Sequence, residues 1–362
     1  MLFRKLWRDI RNNYGAYLAC CSVVMIGLAI YVSFSIIVDN LNSSLNAYYQ
    51  EYGFADGYAR LTAGPPQLAD RLKSIPGIDK ATARYVRDVL LHRSSGEDIT
   101  TLRLISYQQG HQPLNRFRLT AGRLPVPGQR ELLVSPAFFK ANHFRLGQSI
   151  PLIINGREVL FAITGTAISP EFVYEISEKG SMYPNPVTFG VAWVPERSLA
   201  TLPGFGGMIN ELAFSLKPGV KFSQVKGPVG KLLEPFGLTA VFSAEDQLSN
   251  LIVQQKLDGI EKMARSVPIM FLMIAAAILY IMLRRMVEQQ RGQIGILKAF
   301  GFGNASIILH YLWYAWLIGL FGGLIGGLLG ALLSVSLADL YREYFNIPGF
   351  QGGIDYRYLA GG

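Results

Sequence analysis

Three uncharged apolar runs, residues 17–38, 267–283 and 307–337, dictate the solvent this chain must meet. A bilayer's hydrocarbon core takes about 20 residues of helix, so each run is predicted to cross it. The first run holds eleven Leu, Ile, Val or Phe among its 22 residues. These are worth about −3 to −6 kcal/mol on the insertion scale, which Ser33 and Ser35 do not cancel. A cleaved signal peptide is the rival reading, because Arg4, Lys5, Arg8 and Arg11 precede the run. Its apolar region would be about 7–15 residues and end in small residues. Here the run is longer and is followed by Asp39-Asn40-Leu41-Asn42, so it is read as a retained anchor. Cys20 and Cys21, the chain's only cysteines, read as soft apolar side chains within it and supply no disulfide framework.

The net charge of +9 is unevenly spread. Residues 1–16 carry +3 and 284–298 carry +3, whereas the far longer stretch 39–266 carries only +4. Lys and Arg in short loops stay on the cytoplasmic side, while long loops cross regardless of charge. The N-terminus and the second basic segment are therefore expected in the cytoplasm and 39–266 outside it. Nucleic acid is not an expected partner, since no basic helix or aromatic-basic sheet motif stands out.

About 228 residues between the first two runs call for a folded domain. The spacing predicts a helix continuing through Leu41 to Tyr52, a short strand at Tyr58, a helix opened by Pro65-Pro66, and strands over 83–92 and 101–107. Strands are also expected at 130–134, 149–154, 158–164 and 188–194, with Asn155-Gly156 as a two-residue hairpin turn. The chain is then expected to return to strand 211–216 and a helix near 224–234. Ser243-Ala244-Glu245-Asp246 fits a capping-box start. From it a long helix, with apolar positions Leu248, Leu251, Leu257, Ile260 and Ala264, should run directly into the second span. Leu41, Leu45 and Tyr48 offer it a partner stripe.

Catalytic and metal motifs are missing from the sequence. His92, His111 and His143 show no ligand spacing, and there is no Gly-x-Ser-x-Gly, Walker or His-Glu-x-x-His motif. Glu171, Glu175 and Glu178 read as a solvated face. No cofactor is expected, the chain is not expected to be an enzyme, and any ATP-driven role needs another polypeptide.

In the third run Tyr311, Trp313, Tyr314 and Trp316 read as an interfacial belt, with His310 an amphipathic member, and 315–337 as the main crossing. Gly319, Gly323 and Gly327 form one small-residue row, and Gly322, Gly326 and Gly330 a second beside it. Such rows let helices approach backbone to backbone in lipid. Between the second and third runs lies a basic wedge. As a helix it would place Ile294, Ile296, Leu297 and Phe300 on one broad face, with Arg291 and Lys298 on the other. It could dock into a cleft on a motor domain or, alternatively, lie on anionic lipid.

The segment Gln293-Ile294-Gly295-Ile296-Leu297-Lys298-Ala299-Phe300-Gly301, with the order of parts around it, resembles the FtsX-like permeases of ABC systems, the group that includes the MacB and LolC/LolE types. The family motif is close to Glu-Ile-Gly-Ile-Leu-Arg-Ala-Leu-Gly. Gln293 replaces the usual acid, Lys298 the Arg and Phe300 the Leu. The resemblance implies an α+β membrane protein: transmembrane helices with a large mixed α/β extracytoplasmic domain inserted between the first and second spans. The expected parts are a cytoplasmic N-terminus 1–16, spans 17–38, 267–283 and 307–337, a coupling segment 284–306, and a tail 338–362 leading to a missing fourth span. Within 39–266, an α/β lobe (39–112 and 206–266) would hold a β-rich lobe (113–205). It also implies a cytoplasmic ABC ATPase gripping Arg291 and residues 294–301 (Ile294, Gly295, Ile296, Leu297, Lys298, Phe300 and Gly301), a second permease subunit or second copy, and contact with membrane lipids. The chain would be a mechanotransmitter moving an amphiphilic, lipid-linked or peptide cargo. A motor-free receptor or adhesion protein with a ligand-binding outer domain is the alternative.

Overall fold

Each apolar run forms part of a longer helix. The computed structural model describes residues 8, 11, 14–92, 99–110, 112–177, 183–200, 202 and 205–344. Arg4, Lys5, His111, Glu178 and the expected start of a fourth span lie outside them. The first run sits in α1 (Tyr14–Tyr52). The chain then forms β1 (Gly57–Gly64), α2 (Leu68–Lys73), β2 (Ile78–Arg84), β3 (Val86–Leu91), β4 (Thr100–Tyr107) and β5 (Arg118–Gly122). Next come β6 (Glu131–Val134), α3 (Pro136–Ala141), β7 (Ser149–Ile154), β8 (Arg157–Ile168), β9 (Phe189–Pro195) and α4 (Glu196–Ala200). β10 (Ile209–Leu216), α5 (Phe222–Leu233) and β11 (Leu238–Ser243) lead to α6 (Leu248–Gln289), α7 (Arg291–Ala299) and α8 (Asn304–Tyr344). The architecture is α+β, with a mixed α/β unit between the first and second of three helices long and apolar enough to cross a membrane. Two compact units result, one of residues 45–255 and one of 14–44 with 256–343.

Local chemistry sets the ends of the long helices. Gly53, at φ +67°, closes α1 in the left-handed conformation. The Phe54 N–H then donates to the Tyr49 carbonyl at 2.8 Å, and the two rings stack with centroids 4.2 Å apart. That is a Schellman stop with its apolar contact. The start of α6 differs from the capping box expected at Ser243. Ser243 is held extended in β11 against β1, and the helix opens five residues later, where Gln247 Oε1 accepts the Asn250 N–H at 2.8 Å. Pro268 lies inside α6 and does not end it.

In the unit of residues 45–255, a four-stranded antiparallel sheet runs β11-β1-β10-β2. Leu68 and Leu72 of α2 and Val225, Val229 and Leu233 of α5 pack on Leu61, Leu212 and Phe214 to form its core. A second sheet runs β5-β8-β6-β9-β4-β3-β7, and β7 returns to pair with β8, closing six strands into a barrel. Alternate residues point inward as strand geometry requires: Leu102 and Leu104, Leu132 and Val134, Ile150 and Leu152, Phe161 and Ile163 are all buried. The barrel takes in β3 and β4, which the sequence reading assigns to the lobe 39–112. The crossing between sheets falls at Tyr85, so the strand expected over 83–92 is two strands in different sheets. The cause is the parallel pairing of β4 with β9, a contact between residues about 90 positions apart that no local pattern signals.

Candidate coupling segment and helix-packing site

α6 ends at Gln289, and Gln290 turns the chain into the nine-residue α7. At the far end Gly301, at φ +88°, donates to the Lys298 carbonyl, and the Phe302 N–H donates to that of Leu297 at 3.1 Å. This is again a Schellman stop, and it turns the chain into α8. The expected segment 284–306 therefore comprises the last turn of α6, all of α7, and the start of α8.

The four apolar side chains expected on one face separate. Ile294 packs, with Phe302, against a core made by Tyr17, Cys20, Met286, Ile307, Tyr311 and Tyr314. Leu297 is half-buried, whereas Ile296 is 60% and Phe300 78% exposed. The arc of about 160° they span on a helical wheel is wide enough for one end to turn inward while the other faces out. Ile296 and Phe300, four residues apart, form the outward ridge, and Arg291, Gly295 and Lys298 are also exposed. The segment is anchored at its entry, where the Tyr311 hydroxyl donates to Gln290 Oε1 at 3.0 Å.

The aromatic belt divides by helix face in the same way. Trp313 and Trp316 are exposed and meet edge to face, while Tyr311 and Tyr314 are buried. His310, expected at an interface, is only 5% exposed and lies against the rings of Tyr311 and Tyr314.

The two glycine rows also have different environments. A Cβ on Gly322 would lie 2.9 Å from Val24, one on Gly326 2.6 Å from the Met25 carbonyl oxygen, and one on Gly330 2.6 Å from that of Ala29. This row is where α8 meets α1 backbone to backbone. In the other row Gly319 faces open space, Gly323 is in ordinary contact with Leu28, and Gly327 is buried. On the opposite side of α1, Gly27 admits Phe271 of α6.

No group of three or more His, Cys, Asp or Glu able to hold a metal occurs among the described residues. Glu171 and Glu175 correct the sequence reading: they are 6% and 7% exposed, and both are hydrogen-bonded inside the α/β unit. Glu171 and Glu175 give no sequence sign of this, because their partners Arg84 and Ser135 lie far away in the chain.

Residues 265–361, which contain the end of α6, all of α7 and α8, match the FtsX-like permease C-terminal family. This stretch is similar to the C-terminal segment of FtsX-like permeases. No curated protein matches the chain. Among solved structures the chain is similar to the periplasmic region of MacB from Actinobacillus actinomycetemcomitans, at 14% identity over 59% of this chain and 97% of that one, with a TM-score of 0.32. It is also similar to the extracellular domain of the noncanonic ABC-type transporter YknZ from Gram-positive bacteria, at 14% identity over 52% and 98% of the two chains, with a TM-score of 0.33. Within the FtsX-like segment, the motif residues divide into the inward seat Ile294, the outward ridge Ile296 and Phe300, and the left-handed stop Gly301.

Proposed function

We propose that the chain is the permease subunit of an ABC system and acts as a mechanotransmitter. A partner ATPase on the cytoplasmic side grips α7, and α6 carries its movement to the α/β unit outside the membrane. The cargo is amphiphilic, lipid-linked or peptide-like and is moved outside the bilayer. The observation that carries this reading is the exposed Ile296/Phe300 ridge on a short helix anchored at both ends between two bilayer-length helices. Apolar ridges of this kind dock into grooves on partners through residues four apart. A helix anchored only at its tips by flexible loops would absorb a push. The contacts of Ile294, Phe302 and Gln290 instead pass it to α6 and α8.

A second permease subunit or second copy belongs to the same reading. Only 11% of the most apolar window of α6 is buried, against 44% for α1 and 39% for α8. Ile269, Met273 and Ile281 of α6 therefore face lipid or another helix.

The test is replacement of Ile296 and Phe300 together by Asp. Neither side chain belongs to the bundle core, so membrane insertion should be unchanged. Burying uncompensated carboxylates in an apolar groove costs several kcal/mol, and co-purification of the ATPase should fall at least tenfold. Undiminished co-purification would reduce α7 to a lipid anchor and favour the motor-free receptor.

A further inference from the structure

Glu171 lies at the centre of a buried polar network within residues 45–255. Arg84, 3% exposed, donates from Nε to Glu211 at 2.9 Å and from Nη1 to Glu171 at 2.5 Å, while its Nη2 reaches both acids. Arg60 donates to the other oxygen of Glu211 at 3.1 Å. Two arginines thus balance two carboxylates. Burial pushes the Glu211 carboxyl up, but Arg84 and Arg60 outweigh it and hold it below the usual carboxylate range. Asn115, at φ +50°, donates to the Tyr58 hydroxyl at 3.1 Å and to Glu171 at 3.2 Å, while its Oδ1 accepts the Ala55 N–H at 2.9 Å.

The same few residues tie down the start of α6. Gln247 donates to the Glu171 carbonyl at 3.0 Å while capping α6 through its Oε1. Within the first turn, Ser249 Oγ accepts the Tyr174 N–H at 2.9 Å, and Asn250 Oδ1 accepts the Tyr49 hydroxyl at 2.9 Å. Ser135, at the end of β6 in the barrel, donates to Glu175 at 2.6 Å. Four bodies converge here: the last turn of α1, the four-stranded sheet through Arg60, Arg84 and Glu211, the barrel through β8 and Ser135, and the first turn of α6. A fully paired buried network rigidifies what it joins, whereas apolar packing alone would let the same surfaces slide.

We propose that this network is the joint that locks the first turn of α6 to both sheets, so that sheet and barrel move with residues 248–255 as one body. Glu171 and Gln247 are its positioning residues. The consequence for transport rests on the coupling reading above, but the rigidity itself does not. Spatial intermediacy alone is not coupling, so the test reads geometry directly.

Spin labels are placed pairwise on the full-length chain in nanodiscs at three exposed sites: Arg157 on the barrel, Lys231 on α5 and Gln254 on α6. Cys20 and Cys21 are replaced by Ala. The unmodified network should give narrow distance distributions for all three pairs. Gln247→Met, which keeps length and charge balance, should at least double the width for both pairs that include position 254 and leave the 157–231 pair narrow. Glu171→Gln should broaden all three, while Glu158→Gln, in the exposed pair with His92, should broaden none. If Glu171→Gln fails to fold, Gln247→Met still decides the matter. Wild-type widths in Gln247→Met overturn the joint. No ATPase is needed for these distances, so a failed joint with intact ATPase co-purification leaves the coupling reading standing, and the reverse outcome sinks only that reading.

Discussion

A chain carrying Lys256→Pro should insert, fold its α/β unit and bind the ATPase, yet lose at least nine-tenths of its transport. Position 256 lies in the interior of α6, eight residues after its first residue. Proline there removes the hydrogen bond to the carbonyl of Ile252 and clashes with it, at a cost of about 3 kcal/mol. At about 1.4 kcal/mol per factor of ten, that shifts the balance of straight against kinked helix roughly a hundredfold. The natural Pro268 does not weaken this expectation, because α6 is built around it at that one place. Vesicle transport, ATPase co-purification and hydrogen exchange in the α/β unit together check the result. Normal transport with the proline in place would mean that α6 is not the transmitting element.

Gly326→Val and Gly330→Val should each destabilise the helical bundle, whereas Gly319→Val should not. At the first two positions the new Cβ would stand 2.6 Å from a carbonyl oxygen of α1, and at Gly319 nothing lies within 4 Å. Backbone atoms cannot swing aside as side chains do, so the helices must separate, forfeiting contacts along the row. Overpacking of this kind costs about 1–3 kcal/mol per site. Thermal unfolding in detergent would show lowered midpoints for the two variants and an unchanged one for the third. Equal midpoints for all three would place the α1–α8 contact elsewhere.

The sequence exposes these features to different degrees, and each difference has a physical cause. The three long helices are legible because lipid-length apolar runs have few other solutions. The Asn155-Gly156 turn is legible because both residues accept positive φ, and they take +51° and +75°. Most of β2, and all of β5 and β11, escape notice: their burial patterns are irregular, with exposed and half-buried positions along strands that lie at sheet edges. Barrel closure escapes for another reason, since β4–β9 and β6–β8 are parallel pairs brought together only by the tertiary fold. At the coupling segment, the motif and helical spacing identify α7, but periodicity alone does not tell which part of a wide apolar arc packs inward. That choice falls to Tyr311, Phe302 and the core around Ile294, all from outside the motif. The Glu171 network is invisible for the same reason. Its charges balance only once Arg84 meets Glu171 and Glu211, 87 and 127 positions further along the chain.

The central claim, that a motor grips the outward ridge of α7, is tested most directly by photo-crosslinking from that ridge in intact membranes. A benzophenone amino acid placed in turn at Ile296 and Phe300 should capture an ABC ATPase, with a yield that changes when ATP is replaced by ADP. The same group at Ile294, which faces the bundle core, should crosslink only within the chain. Crosslinks from Ile296 and Phe300 to lipid alone, with or without nucleotide, would contradict the account.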